Sequence, residues 1–150
     1  DKLCSETPKG YHLALKGCYF EFFYILYANS TARDEADRKN RARDLERTKL
    51  ILSYIDENYK EAISITDIAS YCGFSESHFM RFFKNTMGVS FVSYLNDFRL
   101  NVAARLLSSN DESILSVAEN CGFFNLSYFN RMFKQKYGVT PGKYRDNHNL

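Results

Sequence analysis

Two stretches of this chain are near copies of each other. Ile65, Ile68, Ala69, Cys72, Gly73 and Phe74 recur 49 residues later as Ile114, Val117, Ala118, Cys121, Gly122 and Phe123. From there the offset is 50, pairing Ser75 with Asn125, Phe79 with Phe129, Arg81 with Arg131, Phe83 with Phe133, Lys84 with Lys134, Gly88 with Gly138 and Val89 with Val139. The second copy therefore carries one extra residue in its turn. A repeat of this kind is one supersecondary unit used twice, and any fold for the chain has to house both copies.

Each copy has the punctuation of two short helices. In the first, Ser64-Ile-Thr-Asp67 is a capping-box-like start, Ile68, Ala69 and Cys72 face inward, and Gly73 stops the helix. A second helix runs from Ser75 to Gly88 and is expected to bury Phe79, Phe82 and Phe83. In the second copy one helix starts at Ser113 and ends before Gly122, and another runs from Asn125 to Gly138. Ser75 and Asn125 are both expected to cap their helices. Between the copies, Ser90 to Ser108 places Leu95, Phe98, Val102, Ala103 and Leu106 inward on one long helix, which at about 1.5 Å per residue spans over 25 Å. A helix over Asp44 to Asn58, with Leu45, Leu52, Ile55 and Tyr59 on one face, precedes the first copy, and Thr140-Pro141 starts a last short helix through Tyr144. No stretch alternates with period two, so the fold class is all-α.

A short helix, a tight turn with Gly and a second helix is the helix-turn-helix plan, in which the second helix enters the DNA major groove. Helical hairpins are also common in plain bundles. Two copies joined by a long helix narrow the choice, because a rigid spacer of that length sets two reading helices roughly one DNA turn, about 34 Å, apart.

Composition is globular, with 45% hydrophobic and 25% charged residues, but the net charge is only +2. Basic residues for nucleic acid must therefore be concentrated locally. Cys4, Cys18, Cys72 and Cys121 form no C-x-x-C pair and read as reduced thiols of a cytosolic protein rather than as a zinc site. The chain begins with Asp, as a piece of something longer would. Tyr11 to Tyr27 has helical apolar spacing at Leu15, Tyr19, Phe22, Phe23 and Leu26; at 17 residues it is short for a membrane span, so burial against another domain or a second copy of itself is expected. Ala28 to Arg43 is highly charged, a linker or a solvated helical extension.

Arg99, Ala103, Leu106-Leu107, Ile114, Ala118, Cys121-Gly122-Phe123, Tyr128-Phe129, Arg131, Phe133-Lys134, Gly138, Pro141 and Tyr144-Arg145 together resemble the signature of AraC/XylS-type transcriptional regulators. The resemblance covers about Asp44 to Arg145. It implies a seven-helix DNA-binding domain with two helix-turn-helix units, about 64–88 and 113–138, joined by a linker helix over 90–108. By the same resemblance 44–150 is the DNA-binding domain, 28–43 a linker, and 1–27 an extra N-terminal helix left from a sensor or dimerisation domain. Such proteins bind double-stranded DNA, are often activators working with RNA polymerase, and sense a small-molecule effector through a domain outside this chain. No cofactor or metal is implied.

Within that frame the second reading helix carries Arg131, Lys134 and Lys136 with no acid among them, and Lys143 and Arg145 follow. Arg131 is suited to a bidentate contact with guanine, with Leu126, Ser127 and Asn130 as base-edge neighbours. The corresponding positions on the first helix are Ser77, His78, Met80 and Arg81. Ser75, Lys84, Asn125, Lys134, Lys136 and Lys143 are the phosphate-contact candidates, giving affinity and salt dependence rather than sequence preference. Arg81 and Arg131 have an alternative role in ion pairs with neighbouring helices. Glu76 either accepts from a cytosine amine or sits at the helix start for its dipole. Phe124, in the turn, either covers the core or touches the sugar-phosphate backbone, and Arg99 reads as structural. Three scattered histidines, no nucleophile motif and no glycine-rich phosphate loop argue against an enzyme. The competing reading is a protein-interaction module that kept this fold without DNA binding, consistent with the near-neutral charge.

Overall fold

The structure is a computed structural model and describes residues 16, 19–23, 35–109 and 111–148. The chain divides into two compact units, residues 1–46 and 47–150. In the first, residues 16 and 19–23 are helical, with Phe22 and Phe23 edge to face at 5.8 Å. The remainder of the expected Tyr11–Tyr27 helix lies outside the described residues.

From Glu35 onward the described elements are helices: α1 (Glu35–Asn58), α2 (Ile65–Tyr71), α3 (Glu76–Met87), α4 (Phe91–Ser109), α5 (Ile114–Asn120), α6 (Leu126–Tyr137) and α7 (Pro141–His148). The two copies are the pairs α2–α3 and α5–α6, and α4 is the long helix between them. Serines start three of the helices as their positions imply. Ser64 Oγ accepts from the Asp67 amide at 3.0 Å, Ser113 Oγ from Ser116 at 3.0 Å, and Ser90 Oγ from Ser93 at 3.2 Å. Proline at the first position of α7 is fully buried.

Two hydrophobic cores follow the duplication. One gathers Ile51, Ile55, Ile68, Ala69, Cys72, Phe74, Phe79, Phe83, Phe91 and Leu95. The other gathers Leu100, Ala103, Leu107, Val117, Ala118, Cys121, Phe123, Phe129 and Phe133. Repeated aromatic pairs line them, Phe79 with Phe83 at 5.8 Å and Phe129 with Phe133 at 5.6 Å. The linker helix serves both, since Phe91 and Leu95 enter the first core and Leu100 to Leu107 the second. Phe82 is half-buried rather than buried, packed at 5.0 Å on Phe74.

Over residues 35–43 the solvated helical extension holds rather than the linker: α1 starts at Glu35, ahead of the expected Asp44, and 38–43 are exposed; its expected buried face is corrected. Its deeply buried positions are Thr48, Ile51 and Ile55, whereas Leu45 and Leu52 are half-buried. Thr48 disguises the stripe, because a hydroxyl residue at 4% exposure does not register as apolar.

One side chain ties the halves of the 47–150 unit together. Arg99 on α4, 8% exposed, donates from Nε to the Tyr59 carbonyl and from Nη2 to the Glu61 carbonyl, each at 2.7 Å. The same Tyr59 carbonyl packs against Gly122 in the turn of the second copy. A Cβ there would stand 2.4 Å from that oxygen and 2.9 Å from Arg99 Nε, and φ is +78°. Only glycine satisfies both conditions. The equivalent Gly73 has φ +69° but open space around it.

Candidate nucleic-acid interface

In α3 the inward residues Phe79 and Phe83 are 0% and 1% exposed, and this fixes what the opposite face presents. Ser77, His78, Met80, Arg81 and Lys84 are all exposed. Ser75 is the N-cap residue by backbone geometry, yet its hydroxyl makes no cap hydrogen bond. That corrects the expectation of side-chain caps in both copies and leaves the hydroxyl at an exposed helix start. Glu76 accepts from Thr66 Oγ1 at 2.6 Å, which joins the start of α3 to α2. His78 lies edge to face on Phe74 at 4.7 Å, and the Arg47 guanidinium sits over that same ring at 4.4 Å. Arg47 comes from α1 and was not among the expected interface residues. Its separation from Phe74 in sequence hides the contact, and no local motif marks it.

In α6 the same logic holds with better chemistry. Phe129 and Phe133 are fully buried, Leu126, Ser127, Arg131 and Lys134 are exposed, and Asn130 is half-buried. Asn125 does cap its helix, accepting from the Tyr128 amide at 2.9 Å. Arg131 lies with its guanidinium carbon 5.3 Å from the centroid of the Tyr128 ring. The Tyr128 hydroxyl in turn accepts from Asn96 Nδ2 at 2.9 Å, a buried amide of the linker helix. The ring beside Arg131 is therefore held from α4. Asn96, a polar residue among the inward positions of α4, is the one local signal of this arrangement.

Two basic side chains leave the expected surface. Lys136 Nζ pairs with the Asp97 carboxylate of α4 and also reaches the Asp97 carbonyl at 3.2 Å, so its charge is spent within the molecule. Arg145 donates to the Glu112 carbonyl at 2.5 Å and turns toward the start of α5. Lys143 remains exposed on α7. Phe124 does not cover the core: it is 72% exposed in the turn before α6.

The two described thiols, Cys72 and Cys121, are packing groups. Cys121 is fully buried, and burial pushes its pKa up to about 12. Cys72 is buried and shifted upward for the same reason. Among the described residues no group of three or more His, Cys, Asp or Glu side chains is placed to hold a metal ion. No described helix is long and apolar enough to cross a membrane.

Comparison with known proteins bears on these two exposed helices directly. Residues 68–147 match the family described as a helix-turn-helix domain, which takes in the first copy from Ile68 onward, the linker helix and the whole second copy. The regulatory protein PocR of Salmonella typhimurium is 33% identical over 124 residues, covering 81% of this chain and 41% of PocR. A transcriptional regulator with an AraC-type DNA-binding domain from Chromobacterium violaceum superimposes with a TM-score of 0.65 at 29% identity, over 71% of this chain and 96% of that one. The chain belongs to the AraC/XylS family of DNA-binding transcriptional regulators. The DNA-binding domain of AdpA, solved with a target DNA, shares this AraC-type fold with a TM-score of 0.64 at 24% identity, over 69% of this chain and 92% of that one. The chain spans less than half the length of two curated relatives, PocR, at 41%, and AdaA of Bacillus subtilis, at 48%.

Proposed function

We propose that this chain is the DNA-reading part of a transcriptional activator, placing α3 and α6 in successive major grooves of an asymmetric site. The observation that carries the proposal is the duplicated presentation. Two helices of equal length turn paired phenylalanines into their cores and leave equivalent arginines, Arg81 and Arg131, exposed on the far side. The AdpA domain, of like fold, binds a target DNA.

Roles follow from position. Arg131, Asn130, Ser127 and Leu126 read base edges from α6, and Arg81, Met80, His78 and Ser77 from α3. Ser75, Asn125, Lys84, Lys134 and Lys143 meet phosphates. Lys136 is withdrawn from that set by Asp97. Because the two units are in tandem within one chain, the site has no palindrome. The effector, RNA polymerase and a second copy are met through parts of the whole protein, with residues 1–27 contributing to dimerisation.

Selection of bound sequences from a random duplex pool tests the reading. An asymmetric consensus in two blocks about one helical turn apart, bound with an affinity that falls steeply with salt, is the expected result. Binding too weak to measure at low salt would make the fold a protein-interaction module instead, and a one-groove footprint would retire one of the two reading helices.

A further inference from the structure

The residue added in the second copy is Phe124, and its neighbours already fill every role the turn requires. Phe123 matches Phe74 as the core anchor, 3% exposed with its ring 5.1 Å from Phe129. Asn125 matches Ser75 as N-cap. Phe124 is left 72% exposed two residues before Leu126, itself 37% exposed at the first position of α6. A large apolar side chain held in water brings no stability to the folded chain. It sits at the end of a helix-turn-helix reading helix that lies closest to base edges. Arg131 and Lys134, exposed on α6, suit an anionic partner; phosphate oxygens offer a phenyl ring nothing, and a contact with deoxyribose would be indifferent to the base, which the scan below separates from a base contact. Among the four bases only thymine presents an apolar group, its 5-methyl, in the major groove.

We infer that Phe124, with Leu126 two residues on, forms a thymine-methyl contact at the start of α6, so that the half-site read by the second copy prefers thymine at a fixed step. This rests on the DNA-reading proposal and deepens it. The first copy, which lacks the added residue, has no such preference at the matching step.

The test is a thymine-to-deoxyuracil scan of the selected duplex, which removes only the methyl. Replacement at one or two positions in the α6 half is expected to weaken binding roughly three- to fivefold, the size of one methyl lost from an apolar contact. Phe124→Ser should bind thymine and deoxyuracil duplexes equally, and Phe124→Leu should keep the discrimination. Indifference of the unsubstituted protein to every replacement, a selected site without thymine in that half, or full discrimination retained by Phe124→Ser overturns the inference, while salt-sensitive binding to the selected duplex leaves the DNA-reading proposal intact. Absence of any sequence-selective binding removes both.

Discussion

Gly73 and Gly122 hold the same place in the two copies but carry different constraints, and alanine substitution should separate them. At Gly73 the penalty is the left-handed backbone alone, about 1–2 kcal/mol, because nothing lies within 4 Å of a new Cβ. At Gly122 the Tyr59 carbonyl must also move, adding about 1–3 kcal/mol of overpacking. Urea unfolding of the two variants reads the difference, and equal midpoints would refute the close approach. Cys121 gives a pH test. Its folded-state pKa of about 12 lies above the ordinary 9.0, so above pH 9 the unfolded chain loses a proton that the folded chain keeps. Stability is therefore full below pH 9 and falls as pH rises toward 12, by at most about 1.4 kcal/mol per pH unit from this group. Burial shifts Cys72 and Tyr59 upward too, in the same sense. At pH 8 a thiol reagent should leave Cys72 and Cys121 untouched until the protein unfolds.

α6 is fastened along α4 by polar contacts of unequal worth. Tyr128 meets Asn96, Lys136 meets Asp97, and the Tyr137 hydroxyl donates to Asn101 Oδ1 at 2.9 Å. Tyr128→Phe strands the buried Asn96 amide and should cost about 1–3 kcal/mol; Lys136→Ala breaks a pair whose carboxylate is 58% exposed and should cost under about 1 kcal/mol. If α6 meets DNA as proposed, Lys134→Ala should lower the salt slope by about 1 and Lys136→Ala should leave it unchanged, as measured by titration at several salt concentrations. The apolar spacing of α2 through α6, with glycine stops after all but α4, locates those helices within a residue or two, since burying Ile68 and Ala69, Phe79 and Phe83, Leu95 and Leu100, Val117 and Ala118, and Phe129 and Phe133 is what fixes each helix against its core. Glu35 to Arg43 escaped the same criterion because a solvated helix has no apolar stripe. Likewise the basic run of α6 was visible residue by residue. Its loss of Lys136 was not, because Asp97 acts from 39 residues away.

Across the 47–150 unit, Arg99 does what neither core does alone, by binding the chain end of α1 to the linker helix beside the second copy. Arg99→Leu removes the donors to two carbonyls and should destabilise by more than about 2 kcal/mol. The two cores should then melt at separate denaturant concentrations, and a single coincident transition by helix and tyrosine signals would count against a joint at Arg99. Tyr59 and Phe98, edge to face at 5.4 Å, pack against both cores and reinforce that joint. The carbonyl of Tyr59 therefore completes the turn of a unit that begins more than fifty residues further on. Such a chain is duplicated without being divisible. A chain cut back to the linker helix and the second copy would keep every buried residue of that copy's core and still lose the carbonyl wall against which Gly122 folds.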